Sequence, residues 1–189
     1  QRGVAEEFTN KFVAAAAQAG MGDLRDGSTF VGPIISERQR ERVRHHIKDA
    51  KDKGVEVLAG GEWDGNRCQP TVLSGVTEEM VVCRDETFGP VTSLYVFDTV
   101  DEALERANDT VYGLSFSIFT QDIDTAMDIA MRAESGAVHI NRPTIQDEPC
   151  PPFGGQGLSG SGREGTEADL DILTEWKWIT IRMGRKGIP

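Results

Sequence analysis

The stretch Thr92–Ile140, TSLYVFDTVDEALERANDTVYGLSFSIFTQDIDTAMDIAMRAESGAVHI, moves back and forth between β-rich and helix-like runs. Thr92 to Phe97, Leu114 to Thr120 and Ala137 to Ile140 carry the β-branched and aromatic residues of strands. Thr99 with Glu102 makes a capping box that opens a helix with Ala103, Leu104 and Ala107 inward. Asp122 caps a second helix, whose apolar face is Ile123, Ala126, Met127 and Ala130 and which stops by Gly136. The order predicts a βαβαβ unit, hence an α/β fold with a mostly parallel sheet and right-handed crossovers.

Working outward toward the N-terminus, Ser36 and Gln39 form a second capping box, and Val43, Ile47 and Ala50 continue an apolar stripe to a stop at Gly54. Val55 to Leu58 reads as a short strand closed by Gly60-Gly61, with another strand near Thr71 to Leu73. At the start, Val4, Phe8, Phe12, Val13 and Ala16 share one helical face that should end near Gly20 or Gly22. In the other direction, Asn141 to Gly165 is a Pro/Gly loop, far longer than the usual connection of about two to six residues, so an active-site wall is to be sought there. Glu167 to Leu173 fits a short helix, and the alternation from Thr174 to Met183 predicts a final strand.

The 189 residues are 38% hydrophobic and 27% charged, a soluble globular composition, and no apolar run approaches the ~20 residues that span a bilayer. A net charge of −11 repels polyanions and excludes nucleic acid as the expected partner. Cys68, Cys83 and Cys150 form no CxxC pair and leave an odd thiol, and the N-terminal residues show no export or transit pattern. The expected setting is cytoplasmic. Opening without Met inside a helical pattern, the chain reads as a piece of a larger protein.

Two overlapping glycine strings, at Gly155, Gly157 and Gly160 and at Gly160, Gly162 and Gly165, have the GxGxxG form, but their context lacks the strand before and the full helix after. They predict a loop folded closely on other backbone, with positive φ where needed. His45, His46 and His139 lack the spacing of a metal site and read as ordinary structural or surface histidines. Cys150 has no sequence-adjacent histidine or helix start to activate it, so no catalytic residue is assigned in the chain. Glu164 after Arg163 reads as a cap with its neighbour.

The pentad Glu86-Thr87-Phe88-Gly89-Pro90 and the run Pro152-Phe153-Gly154-Gly155 continuing to Ser159-Gly160-Ser161-Gly162-Arg163-Glu164-Gly165 together resemble the aldehyde dehydrogenase superfamily. Gly32-Pro33-Ile34-Ile35-Ser36, Pro70-Thr71-Val72-Leu73, Tyr112-Gly113-Leu114-Ser115, Ser135 to Asn141 and Thr174-Glu175-Trp176-Lys177 resemble further family elements in the same order. The resemblance implies that residues 1–173 are the C-terminal portion of the catalytic domain and 174–189 an oligomerisation strand and tail. It implies NAD or NADP as cofactor, with Glu86 accepting from the ribose hydroxyls and Phe88 packing beside the nicotinamide. The nucleophilic cysteine and general-base glutamate are then expected upstream, leaving this chain inactive alone.

His139-Ile140-Asn141 with Thr144-Ile145 and Asp147-Glu148-Pro149 resembles the subgroup that oxidises benzaldehyde, vanillin or salicylaldehyde. That implies a small-molecule aromatic aldehyde as substrate and Ile145 and Phe153 as tunnel residues, with ordinary packing under the glycine loop an equal reading of Phe153. A homo-oligomer through Thr174–Ile181 is implied as well. A non-catalytic scaffold of the same fold, or a semialdehyde or acyl-phosphate reductase relative, stays open.

Overall fold

The computed structural model describes residues 1–145, 148–165 and 167–184. Asp147 of the substrate-group motif and the last five residues of the expected tail lie outside the described residues. The chain divides into two compact units at Ala103/Leu104. Among the described residues, no helix is long and apolar enough to cross a membrane.

The first unit opens with α1 (Arg2–Gln18), whose Arg2 guanidinium donates to both Asp98 carboxylate oxygens at 2.5 and 2.8 Å. Of the expected apolar face, Val13 and Ala16 are half-buried while Val4, Phe8 and Phe12 are exposed, and the Phe8 and Phe12 rings stack with centroids 5.7 Å apart. No residue of α1 is buried within the chain. Helix α2 (Glu37–Asp52) starts where expected, Ser36 accepting from the Gln39 N–H at 3.2 Å. Its stripe Val43, Ile47 and Ala50 is buried, each large aliphatic member contributing about 1.5–3 kcal/mol of transfer free energy.

Strands β1 (Glu56–Ala59), β4 (Thr71–Ser74) and β5 (Val91–Leu94) make a three-stranded sheet with β4 in the centre. β1 runs antiparallel to β4 with a bulge between Val57 and Ala59, while β4 and β5 are parallel, Thr71 opposite Val91 through Ser74 opposite Leu94. The hairpin β2 (Trp63–Asp64) and β3 (Arg67–Cys68) and the single turn α3 (Val81–Arg84) lie between these strands in sequence. Leu73, Val55, Val76 and Met80 gather with Ala50 of α2 into one core cluster.

Helix α4 (Val100–Asn108) opens as predicted, the Glu102 N–H donating to Thr99 Oγ1 and its carboxylate accepting from the Asp98 N–H. In the second unit, β7 (Ser115–Ile118), α5 (Ile123–Arg132) and β8 (Ala137–Ile140) form the expected parallel crossover, Ser115 opposite Ala137 through Ile118 opposite Ile140. Asp122 caps α5 by accepting from the Asp124 and Thr125 N–H groups. β6 (Tyr112–Gly113) and β9 (Gln156–Gly157) form a short antiparallel ladder, and α6 (Glu167–Leu173) is the last regular element among the described residues.

Three expectations change. The run Thr92–Ile140 does not build one βαβαβ sheet: β5 pairs with β4, and β7 pairs with β8. The strand expected near Thr71 to Leu73 is the buried central strand β4, and it takes β5 as its parallel neighbour. On α5, Ala126 is buried while Ile123 and Met127 are exposed, so the covered edge of the stripe is displaced toward Ile129 and Ala130. Finally, residues 174–183 form no strand within the chain, because an extended segment becomes a strand only when a neighbour accepts its hydrogen bonds, and Trp176 there is 100% exposed.

Candidate functional site

Helix α2 and the pentad Glu86–Pro90 are built as one object. Gln39 begins a stripe, Gln39, Val43 and His46, that follows the i, i+4, i+7 spacing of a helical face. The Gln39 amide does not turn back to its own helix start, as a complete capping box would have it. Its Nε2 donates to the Thr87 carbonyl at 2.6 Å and the Phe88 carbonyl at 3.1 Å. One turn on, Gly89 lies so close to Val43 that a β-carbon added to it would stand 2.6 Å from Val43 Cγ2. A further turn on, His46 Nδ1 and Thr87 Oγ1 share a hydrogen bond at 3.0 Å.

The grip continues upstream of the pentad. Asp49 of α2 accepts from the Val81 N–H at 2.9 Å, tying down the α3 turn, and also pairs with Lys53. The Lys53 ammonium, then the Val81 N–H, hold the Asp49 carboxyl below its ordinary value. Downstream, the Thr71 N–H donates to the Pro90 carbonyl at 2.7 Å, so the pentad leads directly into β5 beside β4.

Within this frame Phe88 has φ 46°, a left-handed conformation that costs a non-glycine residue about 1–3 kcal/mol and that clusters at functional sites. Phe88 is nevertheless 74% exposed, and Glu86 is exposed as well. The side chain between them, Thr87, points back to His46. The pentad thus presents one carboxylate and one flat apolar ring outward while its middle residue is anchored inward. Beside Gly89 and Pro90 a cavity of about 750 Å³ is lined by residues such as Phe12, Phe30, Val72 and Val91, with no charged group on its wall.

In the second unit, Asn141 at φ 56° turns the chain out of β8. Its side-chain amide donates to the Thr120 carbonyl and accepts from the Thr120 N–H, both at 2.9 Å. The Ser117 and Ser115 hydroxyls then donate to the Arg142 and Thr144 carbonyls, laying the start of the loop along β7. Ile145 follows and is 90% exposed. Phe153 exchanges two backbone hydrogen bonds of 2.8 Å with Glu164 and lines a cavity of about 390 Å³ with Leu114, Arg163 and Ile172.

The glycine strings hold this loop to other backbone, as expected: Gly157 and Gly165 have positive φ, and a β-carbon on them would stand 2.4 Å from the Val111 carbonyl oxygen and 2.8 Å from the Pro151 carbonyl oxygen. Ahead of the strings, a β-carbon on Gly136 would stand 1.6 Å from the Gly154 carbonyl oxygen. Arg163 does not cap α6 with Glu164: its guanidinium donates to the Gly155 and Gly162 carbonyls at 2.7 and 2.8 Å, closing the loop on itself. Cys68 is fully buried, and burial pushes its thiol up, away from nucleophilic use. Cys83 is half-buried and Cys150 exposed.

The family model for "Aldehyde dehydrogenase family" matches residues 1–179. The chain belongs to the aldehyde dehydrogenase family. It is 39% identical over 186 residues to a vanillin dehydrogenase from a Pseudomonas species, covering 98% of this chain and 39% of that protein. It is 41% identical over 181 residues to a benzaldehyde dehydrogenase [NAD(+)] from Pseudomonas putida, covering 95% and 37%. The structure of a salicylaldehyde dehydrogenase from Pseudomonas putida complexed with salicylaldehyde superposes with a TM-score of 0.90 at 38% identity, covering 98% of this chain and 39% of that one. An NAD+ complex of an aldehyde dehydrogenase from Bacillus cereus gives a TM-score of 0.90 at 36% identity, covering 96% and 38%. The chain spans about two fifths of the length of the curated relatives it matches.

For this aldehyde dehydrogenase chain, sequence reading missed the part played by Gln39 and His46. The Ser36-x-x-Gln39 pattern accounts for Gln39 at its own helix start, and His46 has no partner nearby in sequence; Thr87 is 41 residues away. The stripe spacing is the one signal that joins them. His46 is 1% exposed, and burial, then the Arg42 charge, lowers its pKa from the usual 6.5. The neutral imidazole is therefore favoured in the folded state, and its contribution is fully present above 6.5 and lost as the pH falls through the depressed folded value. Urea midpoints are expected to drop between pH 7.5 and 5, about the range in which an ordinary histidine gains its proton, and to drop less in His46→Gln. Equal pH slopes for the two proteins would show that His46 does not carry the effect.

Proposed function

We propose that the complete protein oxidises an aromatic aldehyde to the carboxylic acid with NAD or NADP, and that this chain is the C-terminal portion of its catalytic domain. The observation that carries the reading is the anchored pentad, which turns the Glu86 carboxylate and the Phe88 ring outward on a strained left-handed residue. The residues present fit a dinucleotide. A carboxylate has two acceptor oxygens, enough for both hydroxyls of a ribose diol, in charge-assisted hydrogen bonds that also fix orientation. An exposed flat ring offers an apolar wall beside a nicotinamide and limits its tilt. When bound, NAD or NADP accepts the hydride released in aldehyde oxidation.

In this reading Glu86 holds the nicotinamide ribose, Phe88 flanks the ring, and Ile145 and Phe153 give apolar contact to the substrate's aromatic group. Relatives named for vanillin and benzaldehyde, and one complexed with salicylaldehyde, support the aromatic class. The nucleophilic cysteine and general-base glutamate come from protein preceding this chain. Residues 174–181 supply a strand that joins copies into a homo-oligomer, supported by the exposed Trp176, Trp178, Ile179 and Ile181. The setting is cytoplasmic, supported by the three free thiols.

The test is made on the complete protein and on these 189 residues alone. The complete protein is expected to reduce NAD or NADP with benzaldehyde and its hydroxylated derivatives faster than with aliphatic aldehydes, and the isolated chain to show no turnover. Sedimentation is expected to show an oligomer that loses its assembly when residues 174–184 are deleted. Cofactor binding without turnover of any aldehyde would replace the enzyme reading with the scaffold one.

A further inference from the structure

We infer that α2 is the positioning element of the cofactor wall, with Gln39 and His46 fixing the backbone that aims Glu86 and Phe88; this rests on the reading of those two residues given above. Neither Gln39 nor His46 needs to touch the dinucleotide for this role. Each acts through residues 87 and 88.

The argument starts from backbone geometry. In an extended chain, successive carbonyls point to opposite sides, so one donor group cannot serve both. A primary amide nitrogen carries two hydrogens. Gln39 Nε2 reaches the carbonyls of two successive residues, Thr87 at 2.6 Å and Phe88 at 3.1 Å, with Phe88 turned to φ 46°. The glutamine therefore selects the left-handed conformer at the residue whose ring is presented outward. Remove it, and Phe88 has reason to relax to negative φ, carrying its ring and the neighbouring carboxylate to new directions.

His46 supplies the second anchor. Its hydrogen bond to Thr87 Oγ1, made from a fully covered position, points the middle side chain of the triplet inward. With Thr87 held in, its flanking neighbours Glu86 and Phe88 are both exposed. Val43 lies between the two anchors against Gly89, so three successive turns of one helix contact residues 87 to 89. The element is sited on a helix buried through Val43, Ile47 and Ala50, the rigid support that a positioning role requires.

The test uses the complete enzyme, with NADH binding followed by fluorescence titration alongside steady-state kinetics. Gln39→Ala is expected to weaken NADH binding about tenfold, in line with losing a charge-free donor from two carbonyls. Gln39→Glu is expected to be worse than Gln39→Ala, since it sets a carboxylate against two carbonyl oxygens. In a Glu86→Gln/Phe88→Ala background, adding Gln39→Ala is expected to cost less than about twofold further, because it acts through the residues already removed. A merely structural glutamine would lower thermal stability, and its binding loss would multiply with theirs.

If Glu86→Gln and Phe88→Ala bind NADH weakly while Gln39→Ala binds normally or its loss multiplies, the inference is overturned and the cofactor reading stands. If Glu86→Gln and Phe88→Ala bind NADH like the wild type, the cofactor reading itself falls and takes the inference with it. Thr87→Val, which keeps the side-chain shape, tests the His46 anchor should Gln39 variants fold poorly. Several-fold weaker binding is expected, and unchanged binding removes His46 from the positioning element.

Discussion

Gly136→Ala is expected to detach the glycine loop from the second unit and to destabilise the fold by about 3 kcal/mol, in the range of severe overpacking. The added carbon would stand 1.6 Å from the Gly154 carbonyl oxygen, 2.7 Å from its carbonyl carbon and 3.1 Å from Gly155 Cα. All three are backbone atoms, so no rotamer change relieves the clash. The loop must move, and what it carries moves with it. The β6–β9 ladder pairs Tyr112 with Gly157 and Gly113 with Gln156, and the Gly113 N–H also donates to Ser159 Oγ at 3.1 Å. Each of these bonds depends on the loop being seated.

For a chain of this size the change corresponds to a thermal midpoint lowered by roughly 6–12 °C. Hydrogen exchange is expected to quicken at Gly113 and Gly157 and at the Phe153 and Glu164 amides, which bond to each other across the loop. Protection unchanged at those amides, with the wild-type midpoint, would mean that the close approach at Gly136 is unimportant to the fold.

Much of this architecture was legible because its signals are local. Ser36 and Asp122 announce helix starts through their own hydrogen-bonding chemistry, and Thr99 with Glu102 does the same. The crossover from Ser115 to Ile140 follows from two apolar runs about one helix apart. The central strand β4 was harder to read. Thr71, Val72 and Leu73 are all buried, so the strand shows no alternation, and the β2–β3 hairpin separates it in sequence from its antiparallel neighbour β1.

Amphipathic faces were legible in position but not in use. Periodicity identifies Ile123 and Met127 as sharing a stripe with Ala126, yet only packing against the sheet decides which edge of the stripe is covered. The same holds for α1, whose phenylalanines stack on each other without becoming buried. At the candidate site, the pentad was legible through family resemblance alone. Its attachment to α2 was not, since Gln39 and Phe88 are 49 residues apart and the Ser-x-x-Gln pattern offered a complete local use for the glutamine.

Gly89→Ala carries the second large effect, and its sign depends on whether Val43 can give way. The added carbon would stand 2.6 Å from Val43 Cγ2 and 3.2 Å from Cγ1, contacts with a side chain rather than with backbone. Flexible side chains relieve such crowding cheaply, but Val43 is 0% exposed and valine in a helix has essentially one χ1 rotamer. The pentad is therefore the part that shifts, lengthening the Gln39 and His46 hydrogen bonds on either side. The expected cost is about 2–3 kcal/mol of stability, with weaker NADH binding in the complete enzyme.

Val43→Ala by itself leaves a void and is expected to cost about 2 kcal/mol. Joined to Gly89→Ala, it removes two carbons where one was added, so the double variant is expected to be no less stable than Val43→Ala and to recover NADH binding. That recovery distinguishes crowding from backbone strain, because alanine at 89 would remain strained whatever stood at 43. Additive losses in the double variant would place the need for glycine in the backbone of residue 89 and release α2 from setting how closely the pentad approaches it.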